Sequence, residues 1–427
     1  MNIAIFTDVF LEVPGGIPSS IIAQKKSLEE LGHKVTIFAP GFTDKKGNTI
    51  GLLDKEILKD TIVVPTHKHL RLNGAPLSKS PETVEKWLIE NYPMFSSFDL
   101  VHVHYEASCS LAGMKMARRF KIPLVQTMHG REDMAIAVNV PHPFKTLVGS
   151  ALNFLHSRYI SHHVIVSRDT DLAPTVARAK MWTMMVNHAN FADAVLTPSE
   201  HFAKKLKRYG VTKPITVVSN GVADEMVAEI DKKVKKTKKT LERDMQAGEP
   251  LKMFWNSRLS REKRIMPFLL ALSKMRSPYF FSACGDGNEL KKAKRFIKKY
   301  NMSDKVKLYG RVPHEEVLDK MLTQHLSITV SYGFDTQGLT LLEAEAVGLP
   351  VFFCDPDMKE VVPMSGALMS DGPSPEQMAN ALDDLSANPE RIRLMSKEML
   401  KHRVEILQST QIKKLVAVYQ KLIKPNQ

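Results

Sequence analysis

Apolar residues recur along this chain in two rhythms. Short unbroken runs rich in Val, Ile, Leu and Phe alternate with longer stretches in which apolar positions return every three or four residues. The first rhythm fits strands buried on both faces, the second amphipathic helices. In the first half, strands are expected at Asn2–Thr7, Val35–Ala39, Thr61–Pro65, Leu100–His104, Leu124–Thr127, Ala194–Thr197 and Ile215–Val218. A helix from Pro18 to Leu31, stopped by Gly32, follows the first strand, and further helices separate the others. The second half repeats the rhythm, with strands at Leu251–Asn256, Tyr279–Ala283, Val306–Tyr309, His325–Val330 and Val351–Cys354. Its helices are expected at Met266–Met275, Glu289–Lys299, His314–Leu322 and just after Gly338.

Strand alternating with helix on both sides of a linker implies an α/β chain of two Rossmann-like, doubly wound domains facing across a cleft. The cleft between them is the expected ligand site. A length of 427 residues agrees with two domains of about 200 residues each. The division expected is 1–222, then 223–405, with 406–427 as a helix crossing back to the first domain.

Charge changes the picture next. Sixty Lys and Arg against 46 Asp and Glu leave +14, an excess that favours an anionic partner. Nucleic acid is one such partner, but the dense basic run Asp231–Thr240 has no interleaved aromatic residues for base stacking. That run is read as a solvated helix or loop that adds attraction to an anionic bilayer. Cys109, Cys284 and Cys354 lie far apart without metal-ligand spacing, as reduced thiols do. The Met1–Phe6 start lacks the pattern of a signal peptide, and no apolar run is long enough to span a bilayer. A cytoplasmic protein is expected, associated peripherally with the inner face of the membrane.

The richest chemistry lies in Ser331–Pro350, SYGFDTQGLTLLEAEAVGLP. Its glycines Gly333 and Gly338 allow close backbone approach, and the helix that follows offers amide donors and a positive dipole end to an anion. Asp335 in the loop and Glu343 about a turn into the helix bracket this seat, whereas Glu345 faces elsewhere. Carboxylates accept hydrogen bonds from neutral hydroxyls, so the set suits a phosphorylated, polyhydroxylated ligand such as a sugar nucleotide. A βαβ unit with acids on a solvated helix start is the competing reading.

Other positions gain weight beside that seat. Arg258 and Lys263, five apart around a helix start, match a diphosphate, Arg by a forked contact and Lys as a point charge. Gly15 and Gly16 lie in the first strand-to-helix loop, the ligand-binding position of doubly wound sheets, although the GxGxxG spacing is absent. His102 reads as a core histidine. His129, followed by Gly130 and three charged residues, reads equally as core or as site. Between Pro141 and Asn190 runs an apolar, Met-rich and basic segment, with Phe144, Leu147, Phe154, Leu155, Met181, Trp182, Met184 and Met185. A helix there, bordered by Lys145, Arg158, Arg178 and Lys180, either holds an apolar acceptor, lies on a membrane or packs in the core. Asp355-Pro356-Asp357 looks like a metal-binding DxD but reads as a structural turn, so no metal and no cofactor is expected.

Together these residues resemble the retaining glycosyltransferases of the GT-B architecture, in the large family 4 that includes glycogen and sucrose synthases. The resemblance covers nearly the whole chain and is most specific at Asp335 and Glu343, spaced like that family's paired acids. Asp335 is one methylene shorter than the Glu usual at the first position. The resemblance implies an acceptor-binding first domain and a nucleotide-sugar-binding second domain. It gives Asp335 the donor-sugar hydroxyls, Gln337, Gly338 and Leu339 the phosphates and sugar, and Glu343 the nucleotide ribose. It gives Arg258 and Lys263 the diphosphate, Gly15 and Gly16 the loop beneath the phosphates, His129 the donor sugar, and Gly310, Arg311 and Val312 the nucleobase. It places His129, Asp335, Lys263 and Arg258 at the reacting centre. Thr336–Thr340, with the basic charge and the apolar insert, looks most like the bacterial diacylglycerol glucosyltransferases. The expected activity is metal-independent, retaining transfer of a hexose from a UDP-sugar to a lipid acceptor such as diacylglycerol, giving a glycolipid or lipoteichoic acid anchor. The alternatives are transfer to a soluble or polyprenyl-linked envelope glycan and, from another class, a basic nucleic-acid-binding protein.

Overall fold

The computed structural model describes residues 1–12, 15–43, 49–50, 59–72, 75–237 and 240–423. The chain divides into a first unit, Met1–Asn220 with Gln411–Gln427, and a second, Gly221–Thr410.

The first unit is built on strands β1 (Asn2–Thr7), β2 (Lys34–Ala39), β3 (Thr61–Val63), β4 (Leu100–His104), β5 (Leu124–Thr127), β6 (Ala194–Thr197) and β7 (Ile215–Val217). All pair in parallel, in the order β7-β6-β5-β4-β1-β2-β3. The order reverses between β1 and β4, which sit side by side although a long stretch of chain separates them. Two antiparallel hairpins, Phe42–Thr43 with Thr49–Ile50 and Thr66–Leu72 with Ala75–Ser78, lie outside the main sheet.

Both faces of this sheet are covered, as the unbroken apolar runs require. On one face Phe6 stacks on Phe38 with centroids 4.5 Å apart. Helix Ser108–Phe120 passes so close that a Cβ on Gly113 would stand 2.4 Å from the Phe6 ring. On the other face Ile412, Leu415 and Tyr419 of helix Gln408–Ile423 join Ile3, Ile5 and Val35, so the C-terminal helix completes the first unit's core.

Several boundaries differ from expectation for visible reasons. The first helix spans Gly16–Glu30 and begins before Pro18, because a proline in the first turn has no intrahelical amide bond to lose. Of the turn at its start, Val13 and Pro14 lie outside the described residues. The segment from Pro141 to Asn190 forms two helices, not one. Val176–Phe191 is buried around nearly its whole circumference, so Met181, Trp182, Met184 and Met185 are core residues and hold no acceptor. Lys145–Ser157 is the reverse case. It buries the small and polar stripe Gly149, Asn153 and His156 and exposes Leu147, Leu152, Phe154 and Leu155. A Cβ on Gly149 would lie 3.2 Å from Cα of Ala177, which is why glycine allows the two helices to meet.

The second unit carries β8 (Leu251–Asn256), β9 (Tyr279–Cys284), β10 (Val306–Gly310), β11 (Leu326–Thr329), β12 (Val351–Phe353) and β13 (Ala367–Met369). These too are parallel, in the order β10-β9-β8-β11-β12-β13, with the reversal between β8 and β11. Trp255, Phe268, Phe281 and Phe352 fill one face. Beyond the expected elements come β13 and helix Pro375–Ala387, whose start is a capping box of Ser374 and Gln377. The basic run belongs to helix Asp224–Thr237, where Lys233 bonds Asp319 at 3.0 Å; Lys238 and Lys239 lie outside the described residues. Among the described residues no helix is long and apolar enough to cross a membrane.

A chain of histidines runs through the first unit. His102 Nδ1 meets the Tyr419 hydroxyl at 2.6 Å and its Nε2 meets Thr127 Oγ1 at 2.6 Å, so His102 is a core residue. His104 links His102 to His129, and His156 links His162 to His188. Burial holds His102 neutral to about 3, with the His129 charge adding to it, and burial holds His129 neutral to about 4 and His188 to about 3. In the unfolded chain each would take a proton near 6.5. Folded values below unfolded values mean that stability falls as pH drops below about 6.5, by about 1.4 kcal/mol per pH unit for each such histidine. Thermal melts at pH 7.5 and pH 5 should therefore show a large drop in Tm, and equal midpoints would contradict the neutral buried histidines.

Candidate functional site

Open parallel sheets bind ligands at the C-terminal ends of their strands where the order reverses. In the second unit that point lies between β8 and β11, and the loops leaving these two strands meet there. Lys263, from the loop after β8, places its Nζ 2.5 Å from Oδ1 of Asp335, from the loop after β11. The Ser331 hydroxyl donates to the other Asp335 oxygen. Burial pushes the Asp335 carboxyl up, but the Lys263 charge and hydrogen bond, the Ser331 hydroxyl and the Arg258 charge together hold it below its ordinary range. The pair is almost out of water, with 9% of the Asp335 side chain and 18% of the Lys263 side chain exposed.

Glu343 lies on the neighbouring helix, Leu339–Ala346. Its Oε2 accepts from Nδ2 of Asn256, the last residue of β8, at 2.9 Å, and His314 Nε2 stands 4.0 Å from Oε1. Burial raises the Glu343 carboxyl, and His314 and Asn256 offset part of that rise. The helix starts at Gly338, whose φ of 76° few other residues tolerate. No side chain caps this end and no acid occupies its first turn, so its positive end is left for an anion. Gln337 is buried just before it, and Gly338 and Leu339 are half-buried. Glu345 points inward from the same helix and is buried, with its carboxyl raised to about 8 by burial and by Glu405.

Two further contacts shape the loops. Asp355 accepts the Gly333 amide at 2.6 Å and caps the short helix Pro356–Glu360 through the Asp357 amide. Its role is to pin the Asp335 loop. Gly285 and Gly287 pack directly on the loop that carries Arg258: a Cβ on Gly285 would stand 2.0 Å from Ser257 O, and one on Gly287 2.4 Å from Leu259 O. The Gly285 amide donates to Gly310 O at 2.7 Å, joining the loops after β8, β9 and β10.

Within this unit, then, the structure gathers Lys263, Asp335, Glu343 and Gly338 at one sheet edge. Arg258 is more loosely held, with 64% of its side chain exposed and an ion pair of 3.0 Å to Glu262. Arg311 is exposed and Val312 half-buried after Gly310, at the end of β10, two strands from β8 in the sheet. In the first unit Gly15 and Gly16 are exposed at the loop after β1, and His129 is buried after β5, bonded to His104 at 2.8 Å. Reading the chain alone passed over Asn256, Ser331 and Gly285. Gly285-Asp286-Gly287 at a strand end was the signal available for the last of these. Among the described residues no three His, Cys, Asp or Glu side chains are grouped to hold a metal.

The ion pair gives a pH test. Because Asp335 titrates below its ordinary 3.8, its stabilisation is complete above that value and is lost as pH falls through the lower folded value. Lys263→Met leaves a buried carboxylate without its cation, at a cost of about 3–5 kcal/mol at neutral pH. Urea unfolding should show that deficit at pH 7 and a smaller one at pH 3, where Asp335 in the variant carries a proton. A deficit that does not change with pH would contradict the pairing.

The chain matches the family described as Glycosyltransferase Family 4 over residues 14–225 and Glycosyl transferases group 1 over residues 237–419. It is 26% identical to an alpha-monoglucosyldiacylglycerol synthase of Streptococcus pneumoniae, over 82% of this chain and 70% of that one. It is 22% identical to the enzyme of the same name from Acholeplasma laidlawii, over 93% and 91%. Its fold superposes on a sucrose-phosphate synthase from Thermosynechococcus elongatus with a TM-score of 0.70 at 16% identity, covering 99% of this chain and 98% of that one. HepE of Anabaena, solved in complex with UDP, gives 0.66 at 14% identity, covering 99% and 100%. With two glycosyltransferase families matched along most of its length and a doubly wound sheet in each unit, the chain belongs to the glycosyltransferases of the GT-B fold and resembles glycolipid synthases.

Proposed function

We propose that this chain transfers glucose from UDP-glucose to diacylglycerol at a membrane surface, with retention and without a metal. The observation that carries the donor side of this reading is the Lys263–Asp335 pair beside the uncapped helix end at Gly338. A departing diphosphate gains charge, and a helix N-terminus with Lys263 and Arg258 supplies donors and positive charge without an ion. Asp335 is kept ionised by its partners and so accepts hydrogen bonds from sugar hydroxyls. Glu343 takes the ribose hydroxyls, while Gln337 and Leu339 flank the phosphates and Gly310, Arg311 and Val312 the base. The bond from the sugar's anomeric carbon to the diphosphate breaks, and a bond to the acceptor oxygen forms on the same face. The acceptor's proton passes to the leaving phosphate.

The lipid side rests on the two glycolipid-synthase relatives and on helix Lys145–Ser157. Leu147, Phe154 and Leu155 recur on one exposed face, with Phe144 beside them and Lys145 and Arg158 at the ends. An apolar face rimmed by cations on a chain of net charge +14 suits the headgroup region of an anionic bilayer. The protein works there as a peripheral protein on the cytoplasmic side.

Two measurements test the two halves. UDP-glucose incubated with diacylglycerol vesicles should yield an α-linked glucolipid by mass spectrometry and NMR, and Glu343→Ala should lower kcat/KM at least about a hundredfold, the loss of about 3 kcal/mol expected for a donor-site carboxylate. Turnover undiminished in that variant would remove the site assignment. Vesicle flotation should show binding that weakens with salt and is lost when Leu147, Phe154 and Leu155 are changed together to Ser. Binding that survives these changes would contradict the membrane face, and activity without vesicles would point to a soluble or polyprenyl-linked glycan acceptor.

A further inference from the structure

The first sheet has its own reversal point, between β1 and β4, and acids that the reading above leaves unused stand at that end of the sheet. Asp8 follows β1, Glu106 follows β4, and Glu132 opens helix Glu132–Asn139 after β5. Asp8 is accounted for by packing. It caps helix Ser108–Phe120, accepting the amides of Ala107 at 3.2 Å, Cys109 at 2.6 Å and Ser110 at 3.1 Å.

Glu106 is different. Only 6% of the residue is exposed, and its Oε1 is buried with no hydrogen-bond partner. A buried carboxyl oxygen left without a donor is costly, and a ligand hydroxyl or a water that donates to it removes that cost. Glu132 is half-buried and hydrogen-bonded to the Tyr105 hydroxyl, and its Oε1 lies 3.3 Å from where a Cβ on Gly130 would stand. Any side chain at position 130 would therefore press on this carboxyl. Tyr105 holds a φ of 131°, a backbone state that a residue other than glycine adopts only where its surroundings impose it. Gln126 and Thr7 brace that turn, bonding the Tyr105 and His104 carbonyls.

We propose that Glu106 and Glu132, with Tyr105 between them, form the seat of the acceptor's hydroxyl headgroup. This rests on the transfer reading given above. A hydroxyl is donor and acceptor at once, so it needs one carboxyl that accepts and one that donates. Burial drives the Glu106 carboxyl well above its usual range, reinforced by the charges of Glu132 and Asp8. Burial and Asp133 bring Glu132 to about 7. Burial thus favours the protonated, donating form at Glu106, and Glu132 beside it accepts, so the pair offers both halves of the contact. The same acids repel a phosphorylated headgroup. The seat selects neutral alcohols and polyols, such as the free glycerol hydroxyl of a diacylglycerol.

Steady-state transfer by the full chain from UDP-glucose to diacylglycerol vesicles tests the seat, with wild type, Glu106→Gln and Glu132→Gln compared. Both variants should raise the KM for diacylglycerol at least about tenfold while calorimetric binding of UDP-glucose keeps its wild-type Kd. That unchanged Kd also shows that the variants fold, and Glu132→Gln, at a half-buried position, gives a second readout beside the buried Glu106→Gln. Acceptor KM unmoved in both variants would overturn the seat while leaving the transfer reading in place. No transfer by the wild type would overturn both.

Discussion

An ammonium 2.5 Å from a nearly buried carboxylate ties the loop after β8 to the loop after β11, and much of the second unit is arranged so that this contact can form. Two loops from adjacent strands could diverge in many ways. Here Asp355 pins Gly333 upstream of Asp335, Ser331 bonds the carboxylate from the strand side, and Gly285 and Gly287 press the Arg258 loop from below. Each support removes freedom from one partner of the pair. The result is a charged pair whose entropy of ordering has been met by backbone packing before any ligand arrives, which is what a preformed anion seat requires.

The two sheets use the same geometry for different chemistry. Where the second sheet reverses, cations and a helix end suit phosphate, and Lys263 holds the Asp335 carboxyl below its ordinary range. Where the first sheet reverses, acids crowd together, and burial with the charges of Glu132 and Asp8 pushes the Glu106 carboxyl well above its usual range. The difference follows from neighbours alone: Asp335 has a cation within hydrogen-bond reach, and the charges that bear on Glu106 are the acids Glu132 and Asp8. Carboxyl groups of similar burial are thereby shifted in opposite directions.

Much of this was legible in the chain. Unbroken apolar runs marked the strands because both faces of each sheet are covered, and strands such as Leu124–Thr127 and Ala194–Thr197 fall where the pattern puts them. Glycine spacing and paired acids led to Ser331–Pro350. What the chain could not show was which side chains meet across a sheet. Asn256 bonds Glu343 from 87 residues away, and no local pattern marks it. The apolar insert misled for a physical reason: Met, Trp and Leu look alike in a core and on a membrane face. Only the buried polar stripe of Gly149, Asn153 and His156 shows that one of its two helices is turned outward. Helix Pro375–Ala387 was passed over although Ser374 and Gln377 carry a capping signature and Met378, Leu382 and Leu385 recur at helical spacing on its buried face.

On this view the reversal point of the second sheet receives the nucleotide sugar. A crystal structure of the chain with UDP-glucose tests it most directly. The diphosphate should lie against the amides at Gly338–Thr340 and within reach of Lys263, with sugar hydroxyls on Asp335. A nucleotide bound instead in the apolar groove beside Arg264, Met266 and Phe296 would contradict the account.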